Sequence, residues 1–337
     1  MKKTLNLWFV ILITGVVYRC LILLLALALG AIGKTSAENL SIADVKHITS
    51  ANGLSSQRVF AILEDNNGAM WFSTRNGVDR YNGREIKNYE LLGDFYCGDL
   101  AGRVIMLAGS GSNIIAYDNL GIIYEFSAIY DRFNIVYKLS DDVALPIRLN
   151  KYLKAKGVEY FALTKGLYAR ESGKTATAIA TDINVNDIIE VDGTLFLATT
   201  TGLRTIGKKG NSSQFGALAS KNIQTLFLCK DTNKLYVGTF NDGLWVVDLA
   251  SSAVSRVEAQ TEIFSNPIRA IQSLDKNTIA VGIDGGGIYT LSIPSGNIRV
   301  LLTPADHTEY CLFGNGIYAL TRDSQGSLWA GSYTGGV

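Results

Sequence analysis

One short pattern occurs seven times between residue 70 and residue 337. Each copy has an aliphatic or aromatic run, a small residue, a turn of one to three residues, and a glycine before an apolar residue. The copies occupy residues 70–78, 114–122, 160–167, 196–203, 235–244, 279–288 and 328–337. Their marker glycines follow one another at steps of 44, 45, 36, 41, 44 and 49 residues. Such regular spacing indicates one structural unit repeated along the chain.

The first repeat is predicted to contain four short strands. They are placed at residues 59–63, 70–73, 78–81 and 85–89. The dipeptides Asn82-Gly83 and Asp192-Gly193 are strong hairpin signals. Four strands in about 43 residues match the size of one β-propeller blade. We therefore predict an all-β fold, a seven-bladed β-propeller over residues 44–337, with equivalent strands at residues 70–73, 196–198 and 235–238.

The last blade is expected to be incomplete. Val337 directly follows the seventh marker glycine, whereas earlier repeats continue into a third strand. Residues 317–320 and 328–330 are predicted as the first two strands of this blade, and residues 42–49 as its outer strand. Propellers protect their edges by completing the final blade, so a missing third strand predicts an outer strand without a neighbour and poor closure.

Residues 1–37 differ in composition from the rest of the chain. A basic start precedes two apolar runs, residues 5–18 and 21–32, and the first acidic residue is Glu38. The second run has the length of a signal-peptide core and is short for a membrane span. Small residues up to Ala37 suit a cleavage site. We predict export, with residues 1–37 serving as a cleaved signal peptide or as an uncleaved membrane anchor.

Charge and composition argue against several classes of protein. Lysine and arginine total 31 against 30 for aspartate and glutamate, without a basic run of the kind that nucleic-acid binding requires. The two histidines, His47 and His307, lie outside any nucleophile or zinc-protease motif. The cysteines lack the C-x-x-C spacing of zinc and redox sites. We therefore predict no catalytic residue, no metal site, no cofactor and no nucleic-acid partner for this chain.

A longer pattern extends over residues 48–83. Asp65, Gly68 and Trp71 stand three residues apart within it, and Asp323, Gly326 and Trp329 repeat that spacing near the end of the chain. We expect the aspartate of each motif to bond its own turn rather than calcium. With these residues the chain resembles two-component regulator propellers, most clearly at residues 45–83 and 316–336.

The resemblance implies the periplasmic sensor region of a hybrid two-component system protein. In that family two seven-bladed propellers precede a β-sandwich, a membrane helix, a histidine kinase, a receiver and a DNA-binding domain. The resemblance also implies an oligosaccharide ligand and control of polysaccharide-utilisation genes. The chain is expected to be an amino-terminal fragment of such a protein, without its second propeller and kinase regions, and a homodimer is left open.

Two sets of loops share one face of a propeller, those between second and third strands and those that enter first strands. Here they supply amide, carboxylate, arginine and tyrosine side chains, which suit hydrogen bonds to sugar hydroxyls and stacking on sugar rings. The predicted ligand-binding residues are Ser55, Arg58, Arg75, Asn76, Asn241, Asp242, Asp284 and Tyr333. Each of them could instead serve only its turn. The alternative functions are a protein-interaction or dimerisation platform and a secreted carbohydrate-active enzyme.

Overall fold

The computed structural model of the chain describes residues 45–91, 102–144, 146–207, 212–258, 262–304 and 311–337. The expected leader, residues 1–37, lies outside the described residues. Within the described part, no helix has both the length and the apolar character needed to cross a bilayer. The regular structure there consists of β-strands and short 3-10 helices at Ser50–Asn52, Leu139–Asp141, Ser212–Leu218 and Glu262–Ser265. The expectation of an all-β fold is therefore confirmed.

The strands form seven antiparallel sheets in chain order. The first sheet contains β1 (Val59–Glu64), β2 (Met70–Thr74), β3 (Val78–Tyr81) and β4 (Ile86–Tyr89). The second contains β5 (Ile105–Ser110), β6 (Asn113–Asp118), β7 (Ile122–Ser127) and β8 (Arg132–Lys138). The third contains β9 (Leu149–Ala155), β10 (Val158–Leu163), β11 (Gly166–Glu171) and β12 (Thr177–Thr181).

The remaining sheets follow the same up-and-down order. The fourth contains β13 (Val185–Val191), β14 (Thr194–Thr199) and β15 (Gly202–Gly207). The fifth contains β16 (Ile223–Cys229), β17 (Lys234–Thr239), β18 (Leu244–Asp248) and β19 (Val254–Arg256). The sixth contains β20 (Ile268–Ser273), β21 (Thr278–Ile283), β22 (Gly287–Ser292) and β23 (Ile298–Leu302). The last contains β24 (Ile317–Arg322) and β25 (Leu328–Ser332).

The first strands of the sheets lie side by side in a closed ring. Each contacts the first strand of the next sheet, and β24 of the last sheet contacts β1 of the first. Clusters of buried apolar side chains fill the space between neighbouring sheets. Trp71 and Tyr124 lie between the first and second sheets, and Phe72 packs near Trp329 where the last sheet meets the first. This arrangement is a β-propeller, as the repeat predicted.

The number of blades that the structure shows is smaller than the expected seven. Six of the described sheets have three or four strands, and the last has only β24 and β25. The structure therefore shows six blades and one two-stranded sheet, so a seven-bladed propeller with an incomplete last blade is not confirmed. The predicted equivalence of residues 70–73, 196–198 and 235–238 is confirmed, because they lie in the second strands of their sheets.

The Asp65 and Asp323 motifs stabilise equivalent turns between first and second strands. Asp65 Oδ1 accepts hydrogen bonds from the backbone N–H groups two and four residues later, at 2.8 and 3.0 Å. Its Oδ2 accepts from Trp71 Nε1 at 2.9 Å. Asp323 repeats all three contacts, with 2.7 Å to Trp329 Nε1. The turn interpretation of this motif is therefore confirmed, since each carboxylate bonds its own loop.

Backbone hydrogen bonds join the two ends of the described propeller. Ile48 N donates to Val337 O at 2.7 Å, and Val337 N donates to Ile48 O at 3.0 Å. A Cβ on Gly336 would lie 2.3 Å from Ile48 O, as one on Gly77 would lie 2.3 Å from Tyr89 O in the fourth strand of the first sheet. Ile48 therefore takes the place of a fourth-strand residue. The expectation that this segment has no neighbour is wrong, because Val337 supplies the pairing edge.

Candidate functional site

Six first strands contain a β-bulge at their second residue. The residues on either side pair with successive residues of the second strand, which leaves the second residue unpaired. The bulged residues are Phe60, Asn150, Asn186, Gln224, Arg269 and Tyr318. Each follows an aliphatic residue that is at most 3% exposed and anchors the start of the strand. The six bulged residues lie where the first strands begin. Because a bulge redirects its side chain, these side chains can contact neighbouring sheets.

Five polar side chains of the third, fourth and fifth sheets form the amide half-ring: Asn150, Asn184, Asn186, Asn222 and Gln224. Asn150 Nδ2 donates to Asn184 Oδ1 at 3.1 Å, and Asn186 Nδ2 donates to Asn222 Oδ1 at 3.4 Å. Each of these donors also bonds the carbonyl of the first residue in the next first strand, at 2.8 and 2.7 Å. The amide half-ring therefore ties neighbouring sheets together.

Five side chains of the sixth, last and first sheets form the aromatic half-ring: Arg58, Phe60, Arg269, Tyr318 and Tyr333. The rings of Tyr318 and Tyr333 stack with centroids 5.3 Å apart, and Phe60 meets both edge-on at 6.4 and 6.3 Å. Arg58 Cζ lies 4.7 Å from the Tyr333 centroid, and Arg269 Cζ lies 5.4 Å from that of Tyr318. Tyr333 is 37% exposed, so this stack is open to solvent.

Asp284 and Arg269 connect the two half-rings. Asp284 Oδ2 accepts hydrogen bonds from Tyr318 Oη at 2.9 Å and from Arg269 Nε at 3.3 Å. Arg269 also donates to Gln224 Oε1 at 2.7 Å, and Gln224 in turn donates to Asn222 Oδ1 at 2.7 Å. Burial, followed by the neighbouring Asp284 carboxylate, raises the pKa of Tyr318 to about 12. The Tyr318 phenol therefore stays protonated and remains a hydrogen-bond donor at neutral pH.

Three of the eight residues predicted from sequence lie in or beside the aromatic half-ring. Arg58 and Tyr333 belong to it, and Asp284 holds two of its members. The prediction placed them on loops that share one face, and the structure brings these three together. The other five predicted residues lie in two separate loop clusters.

Ser55 and Asn76 form one of these clusters, in the first sheet. The backbone N–H and Oγ of Ser55 donate to Asp79 Oδ2 at 2.8 and 2.9 Å, and Asn76 Nδ2 donates to Ser55 O at 2.6 Å. Asp79 is fully buried, and burial raises the pKa of its carboxyl despite these donors. Ser55 and Asn76 therefore hold their own loops, while Arg75 beside them is exposed.

Asn241 and Asp242 lie in the loop between β17 and β18 and form the other cluster. Asp242 Oδ2 lies 2.7 Å from Lys221 Nζ and accepts a hydrogen bond from Trp245 Nε1 at 3.2 Å. Asn241 is exposed beside it. Within the described part of the chain, no side-chain hydrogen bond or ion pair joins Asn241 or Asp242 to either half-ring. These positions are therefore occupied by the local structure of the fifth sheet.

Sequence reasoning missed the bulge positions themselves. Phe60, Arg269 and Tyr318 stand at the same place in their repeats, one residue into the first strand and directly after a buried aliphatic residue. A signal for this position is present in the sequence. From one bulged strand to the next its residue is an amide, an aromatic residue or an arginine, while the residue before it is always aliphatic. A pattern search for shared residues passes over a position whose residue varies.

The two matched segments in a comparison with protein families are residues 53–76 and 311–334. They match the family described as Two component regulator propeller. The chain carries two-component regulator propeller repeats. These regulator repeats contain the first two strands of the first and last sheets, and with them Arg58, Phe60, Tyr318 and Tyr333. Most of the aromatic half-ring thus lies in the segments that match the family.

Solved structures with this fold include extracellular domains of B. thetaiotaomicron sensors. That of the hybrid two component system BT3049 has a TM-score of 0.68 at 16% identity, over 86% of this chain and 41% of that one. That of the one component system BT4673 has a TM-score of 0.66 at 17% identity, over 86% and 39%. The WD40 propeller domain of Doa1 has a TM-score of 0.60 at 12% identity, over 86% and 91%.

These likenesses show that the chain shares the propeller fold of these extracellular domains. This chain spans about two fifths of the length of the two sensor structures. A comparison with curated protein sequences finds no match.

Proposed function

We propose that this propeller is the ligand-sensing part of a hybrid two-component sensor, located in the periplasm, and that it binds an oligosaccharide at the aromatic half-ring. The regulator repeats and the likeness to extracellular sensor domains support the sensor role. The observation that carries the ligand class is the solvent-open stack of Tyr318 and Tyr333 with hydrogen-bonding groups around it.

The chemistry of this stack suits a sugar ring. The face of a pyranose carries C–H groups that pack on an aromatic ring, while its hydroxyls need both donors and acceptors at the rim. Tyr333 offers the aromatic face, and Arg58 and Arg269 offer donors. Asp284 offers an acceptor whose position is fixed by two hydrogen bonds. Stacking and directional bonding therefore meet within one small area.

The proposal extends to the architecture of the sensor. We propose that β24, β25 and the Ile48 segment belong to a seventh blade, since Ile48 takes a fourth-strand position there. A second propeller and a histidine kinase in the same protein would convert binding into control of polysaccharide-utilisation genes. Deleting the gene should then abolish induction of those genes by the polysaccharide that supplies the ligand.

Calorimetry with a panel of glycan fragments tests the binding function. Tyr333→Ala removes the exposed stacking face and is expected to weaken binding by about tenfold or more, as aromatic anchors in a binding site do. Tyr130→Ala is the matched control, because Tyr130 is 69% exposed in the turn between β7 and β8, outside the half-rings. Equal losses in the two variants, or no heat with any glycan, would overturn the proposal.

A second candidate function is self-association, favoured by exposed apolar side chains in the second sheet. Ile129, Tyr130 and Val136 are 89%, 69% and 48% exposed on β8 and the turn before it. An outer strand with exposed apolar side chains is a ready surface for pairing with another sheet. Light scattering of the chain and of Val136→Lys checks this function: a dimer that the lysine dissociates supports it, and a monomeric parent protein rules it out.

A further inference from the structure

We infer that the ligand of the aromatic half-ring is an anionic oligosaccharide, one that carries a carboxylate or a sulfate group, and that Arg58 binds this group. The inference deepens the proposed function and rests on it.

Two positions define the end of the ring where the first strands begin: the residue just before each first strand, and the second residue of the strand, which is bulged in six of the seven. Arg58, Arg148 and Arg269 occupy three of these positions, and no aspartate or glutamate occupies any of them. The whole chain holds nearly equal numbers of basic and acidic residues, 31 and 30. The bias is therefore local to this end of the ring.

Asp284 balances only one of these arginines. It reaches the ring from the loop between β21 and β22 and pairs with Arg269 at 3.3 Å, with both side chains 28% exposed. Its Oδ2 is further used by Tyr318. Among the described residues neither Arg58 nor Arg148 has a carboxylate partner. Positive charge thus remains at this end of the ring after its internal ion pair is counted.

Arg58 holds its guanidinium beside the stacking face. Its Cζ lies 4.7 Å from the centroid of Tyr333, and its half-buried stem follows the same loop. An arginine that lies flat on an aromatic ring keeps its N–H groups directed outward in the ring plane, where they can bond an acidic oxygen pair. A sugar that packs at the solvent-exposed edge of Tyr333 would therefore bring an acidic substituent within reach of Arg58.

A cleft of about 850 Å³ between the fifth and sixth sheets is the competing place for an anion. Its lining includes Lys234, Arg256 and Arg299. Arg256 lies 3.9 Å from Asp242, which offsets part of this charge. Arg299 is exposed on β23 and has no ion-pair partner in the described part of the chain. Arg299 therefore provides a matched control that also reports on this cleft.

Calorimetry with size-matched neutral, uronic-acid and sulfated oligosaccharides decides the inference. We expect an acidic oligosaccharide to bind more tightly than the neutral one and more weakly as salt is raised. Arg58→Met keeps the apolar stem and should cost about 10- to 100-fold in affinity for the acidic sugar, the range of one charge-assisted hydrogen bond. Arg58→Lys should recover part of this loss, and Arg299→Met should change nothing. The two acidic arms tell whether the group is a carboxylate or a sulfate.

Three results would overturn the inference. A neutral sugar that binds best, with an affinity indifferent to salt and to Arg58→Met, would leave the oligosaccharide function standing and remove the anionic ligand. A loss on Arg299→Met without one on Arg58→Met would move the anion to the cleft. Binding of no sugar at any salt concentration would fail the proposed function itself. The salt dependence needs no variant, so it decides even if Arg58→Met melts at a lower temperature than the parent.

Discussion

Replacing Gly336 by alanine is expected to destabilise the propeller where its two ends meet. Gly336 has a φ of +80°, and an added Cβ would lie 2.3 Å from Ile48 O. The positive φ alone costs about 1–2 kcal/mol for a residue with a Cβ. Moving the carbonyl away also breaks the two hydrogen bonds between Ile48 and Val337, at about 0.5–1.5 kcal/mol each. The total expected loss is about 2–5 kcal/mol.

Gly326→Ala is the matched control in the same sheet. Gly326 has a φ of +94°, but its nearest neighbour would be Arg322 Nη2 at 3.2 Å, the movable end of a long side chain. Gly326→Ala therefore has the same free-energy cost of a Cβ at positive φ, but it does not force a backbone carbonyl to move. We expect the two variants to differ by about 1–3 kcal/mol, which corresponds to a melting temperature about 2–5 °C lower for Gly336→Ala.

Calorimetric melts measure the difference, and hydrogen exchange locates it. The amides of Ile48 and Val337 should lose protection in Gly336→Ala and keep it in Gly326→Ala. Equal melting temperatures and unchanged exchange at both amides would refute the reasoning. They would mean that the contact between the two ends contributes nothing to the stability of the ring.

Three further outcomes are expected. Asp118→Asn should lower the free energy of unfolding in urea by about 3–5 kcal/mol, because it leaves the Arg103 guanidinium, 8% exposed, without its buried partner at 3.0 Å. Asn186→Leu should cost about 1–3 kcal/mol by leaving a first-strand carbonyl without its donor, while the folded protein keeps its glycan affinity. Tyr137→Phe should raise the pKa of Asp142, measured by NMR titration. The hydrogen bond from Tyr137 is the largest cause that holds the pKa of Asp142 below its ordinary value of 3.8. Asp142 therefore stabilises the fold above pH 3.8, and this contribution is lost as the pH falls through the pKa of the folded state. We expect that contribution to be smaller in Tyr137→Phe.

The repeat predicted the fold because each blade depends on a local signal. The four strands expected in the first repeat agree with β1 to β4 to within one residue at each end. The Asp192-Gly193 turn has both residues at positive φ, +51° and +85°, as a tight hairpin turn requires. Such signals need no knowledge of distant parts of the chain, so a single sequence is enough to read them.

Closure and the candidate site depend instead on contacts between distant residues. Ile48 and Val337 are hydrogen-bonded although almost the whole propeller sequence separates them, and no local sequence pattern predicts that pairing. Tyr318 reaches Asp284 from another blade. Loop position selected Arg58 and Tyr333, which the structure brings together, because it reports the face on which a residue lies. It could not separate them from Ser55 or Asp242, whose polar groups are already bound within their own loops.

The same bulge position serves two purposes around the ring, and its neighbours decide which. Where Asn150 and Asn186 occupy it, the side-chain amide donates to a backbone carbonyl of the next first strand, so it links two neighbouring sheets. Where Tyr318 occupies it, the ring is half-buried and stacks on Tyr333, which is 37% exposed. One half of the ring thus bonds neighbouring sheets to each other, whereas the other half stacks aromatic side chains. The amide half also holds Arg269 through Gln224, so one side chain of the proposed recognition surface is positioned by the fold itself.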